Sequence, residues 1–344
     1  MNQIKGAILQ DSTRPIRRLF NDAVHRQPAI DSDEDDFLPE FHPIRSSLTR
    51  KRQQLYPAIP RRVRDVKIRG QWKKNWQGQE LVCHQDRRWG LVIMMSSRCA
   101  SYVQNCQHLY VDGTFKTCPK PFVQVITVHG MYHGRVLPFA FVILKSKEVA
   151  LYREMFRQLK CKVLRLTGHH LRPRRILCDF EIALMSAAEA EFQQSSIAGC
   201  YFHFCQNIWR KVQNLGLSVA HRRNLHVKKF VLKVMTLAYL PVAVVRINFR
   251  LMFTSTTVRR LIRQFPAIAQ FITYFERNYI NGVFKPKVWN VYERDVDFRT
   301  NNHVEGMKKY CFVGDSYSRA NPVEECLSPY SVRQSRPLFY YKLL

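Results

Sequence analysis

Leu109-Tyr110-Val111-Asp112-Gly113-Thr114-Phe115-Lys116 is the stretch whose reading decides the fold. An apolar run ends on a carboxylate, and a glycine turns the chain at once. Such a run reads as a strand that delivers a charge to the edge of a sheet. Alone, Asp-Gly after apolar residues is an ordinary turn signal. It acquires chemical meaning only where other acids arrive at the same edge.

Working outward, Phe122 to Val128 alternates and is rich in β-branched residues, and Val136 to Leu144 is a second apolar run. His129-Gly130 and His133-Gly134 read as turns, so three consecutive antiparallel strands are expected. Residues 148 to 166 change period, with Leu151, Met155, Leu159 and Val163 four apart, as on one face of a helix. Arg175-Ile176-Leu177-Cys178-Asp179 reads as a buried strand ending on a second carboxylate. A helix from Ile182 to Phe192 and a strand from Ile197 to Phe202 follow. Upstream, Gly90 to Met95 reads as a strand and leads into a short helix. The order βββ-α-β-α-β resembles an α/β RNase H-like domain, a mixed sheet flanked by helices.

From 204 to about 290 the pattern is all-helical and strongly basic, and reads as an insertion. Phe230, Val234 and Ala238 share a face punctuated by Lys228, Lys229 and Lys233. Pro266 suits a helix N1 position, with Ile268, Phe271, Ile272 and Phe275 facing a core. Residues 1–56 read as a disordered arm or linker, acidic at Asp31, Asp33, Glu34, Asp35 and Asp36 and basic from Arg45 to Arg52. Residues 57–108 form a basic lead-in with Arg61, Arg62, Lys73, Lys74, Trp72 and Trp76. Two readings stand for it: contacts to nucleic acid, or a charged surface hairpin. Residues 109–310 hold the α/β domain, and 311–344 an irregular tail interrupted by Pro322, Pro329 and Pro337.

A net charge of +29 and an isoelectric point near 10.0 make a polyanion the expected partner, and nucleic acid is the usual one. The apolar runs are too short for a membrane span, and Met1 to Gln10 lacks the hydrophobic core of a signal peptide. Ten cysteines without a dense framework fit the reduced thiols of an intracellular protein, and the DNA argument favours the nucleus.

If the strands ending in Asp112 and Asp179 are neighbours, their carboxylates share an edge and repel unless a cation lies between them. Mg²⁺ or Mn²⁺ suits such oxygen donors. A third acid is available in Arg299-Thr300-Asn301-Asn302-His303-Val304-Glu305-Gly306, where Asn301 suits an N-cap and Glu305 follows one turn later. Three acids would complete a two-metal site. Glu181 reads as complementing the dipole of the helix it starts. Cys200 and His203, with Cys205 nearby, leave zinc open beside packing or DNA positioning. No second ligand pair of suitable spacing accompanies them.

Tyr110 to Pro119, continued by Pro121 to Gly130, resembles the first catalytic block of Mutator-like element (MULE) transposases. Cys178-Asp179-Phe180-Glu181 resembles the second block, Gly199 to Gln206 the Cys-x-x-His element, and Arg299 to Gly306 the third block. The blocks stand in the family's order over residues 57 to 310. The resemblance implies an RNase H-like DDE core in which Asp112, Asp179 and Glu305 bind divalent metal and cut and join strands of double-stranded DNA. It also implies that Cys200 and His203 lie near the active site, that the basic insert with Lys228 and Lys229 holds DNA, and by analogy that the chain self-associates; Arg61, Arg62, Lys73 and Lys74 are candidate DNA contacts on charge alone. The chain departs from the family after Gly306, in Met307-Lys308-Lys309-Tyr310-Cys311, and has no zinc finger before residue 83. Three readings follow: a transposase-type strand-transfer domain, active or degraded; a non-catalytic DNA-binding or regulatory protein derived from one; and an RNA-directed RNase H-like nuclease, against which the helical insertion argues.

Overall fold

Seven strands in the order β1-β2-β5-β4-β3-β6-β7 build the sheet that carries the Asp112 stretch. The computed structural model describes residues 2–10, 15–25, 40–55, 58, 60–75, 77–114, 118–295 and 298–299. These fall into two units, one formed by residues up to Lys73 together with Pro119–Pro121, the other by Lys74–Cys118 and the residues from Phe122 onward.

In the first unit, α1 (Asn2–Gln10), α2 (Ile16–Val24) and α3 (Phe41–Gln53) enclose Ile4, Ile8, Ile16, Leu19, Phe20 and Leu48. Phe41 sits with its ring centroid 5.4 Å from that of Phe20. The sequence reading has a disordered or linker arm over 1–56; the described residues of that range form these three helices, and its acidic block lies outside the described residues. Ile4 and Ile8 are one turn apart, as are Ile16 and Phe20, so short helices present enough apolar surface for a small core.

The second unit opens with β1 (Val82–Asp86), β2 (Leu91–Met94) and α4 (Ser97–Val103), whose N-cap Ser96 accepts from Cys99 N–H at 3.1 Å. Then come β3 (His108–Thr114), β4 (Gln124–Tyr132), β5 (Arg135–Leu144), α5 (Val149–Thr167), β6 (Arg175–Cys178), α6 (Ile182–Glu191) and β7 (Ser196–Gly199). Strands β3, β4 and β5 are antiparallel neighbours, and β6 and β7 add in parallel beside β3. This is the RNase H-like mixed sheet, with the β1–β2 hairpin extending one edge. Residues Leu109 to Asp112 are all buried, as befits a central strand covered on both faces. The face of α5 read from the sequence, Leu151, Met155, Leu159 and Val163, is buried, and Gly168 ends the helix in the left-handed region.

Two local expectations change. His133 and Gly134 both have positive φ and form the β4–β5 turn, but His129-Gly130 lies inside β4. A Cβ at residue 130 would strike the Phe139 ring, so this glycine serves a close approach rather than a turn. The last strand stops at Gly199, and Cys200 to Phe202 turn into a helix whose first N–H, from Tyr201, donates to Arg299 O at 3.0 Å.

That helix, α7 (Tyr201–Asn214), starts an all-helical stretch: α8 (Ser218–Arg223), α9 (Leu225–Thr236), α10 (Val242–Thr254), α11 (Thr256–Gln264), α12 (Ala267–Phe275) and α13 (Pro286–Trp289). Pro266 stands at the N-cap of α12, one residue before N1. Phe204, Phe275, Tyr279 and Trp289 form its aromatic centre, with the Phe204 and Trp289 rings stacked at 4.9 Å and Trp289 Nε1 donating to Tyr279 O at 2.8 Å. Phe230, Val234 and Ala238 are buried as their spacing requires.

Candidate metal centre

The register of the sheet brings the two acids together. In the parallel pair β3–β6, Val111 lies opposite Cys178, so the next residues, Asp112 and Asp179, leave the two strands at the same level. Neighbouring strands are about 4.8 Å apart, close enough for facing carboxylates to share one ion. Asp112 is 1% exposed, and Thr127 Oγ1 donates to its carbonyl at 3.2 Å. The amide of Gly113 donates to Asp179 Oδ2 at 3.4 Å.

His203 completes the group from the first turn of α7. Its Nδ1 lies 2.8 Å from Asp179 Oδ1. Asp112, Asp179 and His203 each offer a ligand atom, and these atoms lie within 4.8 Å of one another. Among the described residues this is the group of His, Cys, Asp and Glu able to hold a metal, and no cysteine belongs to it. Burial would lower the His203 pKa, but the hydrogen bond and charge of Asp179, with Cys200 beside it, outweigh burial and push it up to about 10. Without a cation His203 and Asp179 therefore pair at 2.8 Å, and a cation bound here would displace that proton before taking the imidazole as a donor. Two carboxylates and an imidazole are a donor set that suits a small divalent cation, and Mn²⁺ tolerates the nitrogen best among the oxygen-preferring ions.

Cys200 is fully buried one turn before His203, at the N-cap of α7. Nearby Cys178 is buried too, and burial, followed by the charge of Asp179, raises its thiol pKa. It is an inert core thiol.

Glu181 does not cap α6 with its side chain. Its carboxylate accepts from the Tyr152 hydroxyl and lies 3.7 Å from Lys147 Nζ. Tyr152 and Gln124, which also meet, were not singled out by the sequence: a tyrosine on a helix face and a glutamine opening a strand carry no signal of a site.

Glu305 lies outside the described residues, as do the rest of its block from Thr300 and the tail. The chain reaches Arg299 under close control. Phe298 is 1% exposed, with its ring centroid 5.5 Å from that of Tyr110, two residues before Asp112. Arg299 donates from Nε to Arg294 O at 3.2 Å and holds its guanidinium 5.5 Å above the Tyr239 ring. Arg294 is itself half-buried, donating to Gly199 O at 2.8 Å and Val288 O at 2.6 Å. Burial lowers its pKa to about 10, so it stays charged at neutral pH.

The other basic residues are spread over both units. Arg61, Arg62 and Lys73 belong to the first unit, where Arg62 pairs with Asp65 at 2.7 Å. Lys74 belongs to the second, paired in a short bridge with Glu80. Lys228 and Lys229 are exposed on α9. From Tyr201 to Phe275 the sequence has twelve Lys and Arg residues and no Asp or Glu, so the helical stretch faces solvent with one sign of charge. No helix of the described residues is long and apolar enough to cross a membrane.

Residues 108–207 match the family model of the MULE transposase domain. The match starts at the first residue of β3 and ends shortly after His203, so it contains all three members of the metal group. No curated protein matches the chain.

Proposed function

We propose, from the MULE transposase domain matched at residues 108–207, that the chain is a metal-dependent DNA strand-cleaving and strand-transferring protein. The observation that carries this reading is the convergence of Asp112, Asp179 and His203 at the edge where β3 and β6 end. Asp112 and Asp179 would hold Mg²⁺ or Mn²⁺, with Glu305 as the third acid. The bound ions would supply Lewis-acid stabilisation of a phosphodiester and lower the pKa of an attacking water or 3′-hydroxyl. His203, paired with Asp179, holds a proton beside the reacting groups. The acid-free helical stretch, Lys228 and Lys229 included, would neutralise phosphates on double-stranded DNA without reading its sequence. Arg61, Arg62, Lys73 and Lys74 would add to that contact. Work on two DNA ends calls for self-association, and a DNA substrate for a nuclear location.

The test is nicking of supercoiled DNA by the full chain in Mn²⁺. The wild type is expected to nick, and Asp112→Asn to lose at least about a hundredfold, since a misplaced catalytic group alone costs that much. Equal nicking by both proteins, or none by either, contradicts the catalytic reading.

A second reading has its own support in the twelve-to-nothing charge imbalance of residues 201–275, which needs no metal. In it the chain is a transposon-derived DNA-binding protein without catalysis. DNA affinity unaltered by Asp112→Asn and Asp179→Asn, in a wild type that does not nick, selects this reading.

A further inference from the structure

Gln124 and Tyr152 are fully buried and outside the metal group, yet they form a polar path that leads to it. The Tyr152 hydroxyl lies 2.5 Å from Gln124 Oε1 and 2.5 Å from Glu181 Oε1. A phenol has one proton and donates once. The nitrogen and oxygen of a side-chain amide exchange places by a half-turn, and the network decides between them. With Gln124 turned, its amide N–H donates to the tyrosine oxygen, and the hydroxyl donates to Glu181. That orientation serves both contacts and gives a partner to the buried Gln124 nitrogen, which otherwise has none among the described residues. Burial, then the bond and charge of Glu181, raise the Tyr152 pKa, so the proton stays on the phenol.

One end of this path is bonded to Asp179, and the other packs beside Gly113, which is bonded to it as well. Glu181 follows it by two residues and donates its own N–H to Asp179 O at 2.8 Å. At the other end, Gly113 donates its N–H to Asp179 Oδ2, and a Cβ at residue 113 would collide with the Gln124 amide. The glycine after Asp112 does not turn the chain as its sequence suggests: Gly113 lies within β3 opposite Ile126, and its bare α-carbon admits Gln124.

We infer that Gln124, Tyr152 and Glu181 are positioning residues, a buried hydrogen-bonded strut that fixes the loop after β6 and with it the distance from Asp179 to Asp112. The inference rests on the metal-site reading above for its consequence, but not for its geometry. Groups behind the ligands set their aim, and removing one typically weakens metal binding by about 10- to 100-fold.

Two measurements on the full chain test it. Tyr152→Phe deletes the hydroxyl alone, whereas Glu181→Gln keeps an acceptor for it. Isothermal titration with MnCl₂ is expected to show binding about tenfold weaker in Tyr152→Phe and within about twofold of wild type in Glu181→Gln. Hydrogen exchange of the backbone at residues 179–182 is expected to be faster in Tyr152→Phe and unaltered in Glu181→Gln. Exchange at the wild-type rate in Tyr152→Phe overturns the strut, as does undiminished Mn²⁺ affinity, even if the variant melts earlier; Tyr152 is then only a core residue. Where the wild type takes no Mn²⁺, the metal-site reading falls, and exchange alone decides: faster exchange upholds the strut, unchanged exchange overturns it.

Discussion

The end of the β3–β6 pair and the interior of the helical stretch are built on opposite principles, although α7 belongs to both. At the sheet edge, polar groups are held by one another, with Asp112, Gln124 and Tyr152 buried and Asp179, His203 and Glu181 half-buried. In the helical stretch, stacked aromatics fill the interior and charge is confined to the surface. Helix α7 turns Phe204, Ile208 and Val212 into that aromatic core while its first turn carries His203 to the acids. Burying a carboxylate costs free energy, and burying an aromatic ring returns it. The sheet edge therefore spends stability on geometry, and the helical core supplies the rigidity that keeps His203 in place.

The largest effect that distinguishes the two regions is expected at Trp289. It is fully buried, stacks on Phe204 and donates to Tyr279 O and Phe284 O. Trp289→Ala is expected to cost about 3–5 kcal/mol, read as a lower urea midpoint at unchanged slope. A loss below about 1 kcal/mol, the scale of a surface substitution, would break the contrast. Asp112→Asn sharpens it from the other side: the midpoint should stay at or above the wild-type value while Mn²⁺-dependent nicking disappears. Removing a buried carboxylate beside Asp179 relieves like-charge repulsion, so the sign is stabilising or neutral. A clear drop in midpoint would mean that Asp112 is part of the scaffold.

The smallest expected effect lies on the surface. The double variant Lys228→Ala, Lys229→Ala should bind duplex DNA more weakly for every sequence tested, and its slope of log K against log[salt] should fall in magnitude by about 1 to 2. Stability should not move, because both side chains are exposed. An unchanged salt slope would remove α9 from the DNA-binding face.

What could be read from sequence follows from this division. Strands ended by acids, and the period-four face of α5, are patterns that apolar burial writes directly into the chain, so β3 to β7 and the pairing of Asp112 with Asp179 were legible. The strut was not. Tyr152 sits between Leu151 and Met155 and reads as one more core residue, and the partner of Gln124 is set by tertiary contact alone. The His129-Gly130 pair carries the composition of a turn but serves packing against Phe139. Strand β1 escaped notice because Val82 is its one buried residue, so no alternation survives. The N-terminal helices escaped because charged blocks dominate residues 31–52, while their core needs only six fully buried apolar side chains.

The central claim is that Asp112 and Asp179, with His203, form a divalent-metal centre. Anomalous diffraction at the manganese edge, from crystals of the full chain grown with MnCl₂, tests it most directly. The account predicts a peak within coordination distance of both carboxylates, absent in Asp112→Asn crystals. A wild-type map with no peak at that group, or with manganese held elsewhere and none between the two acids, would contradict it.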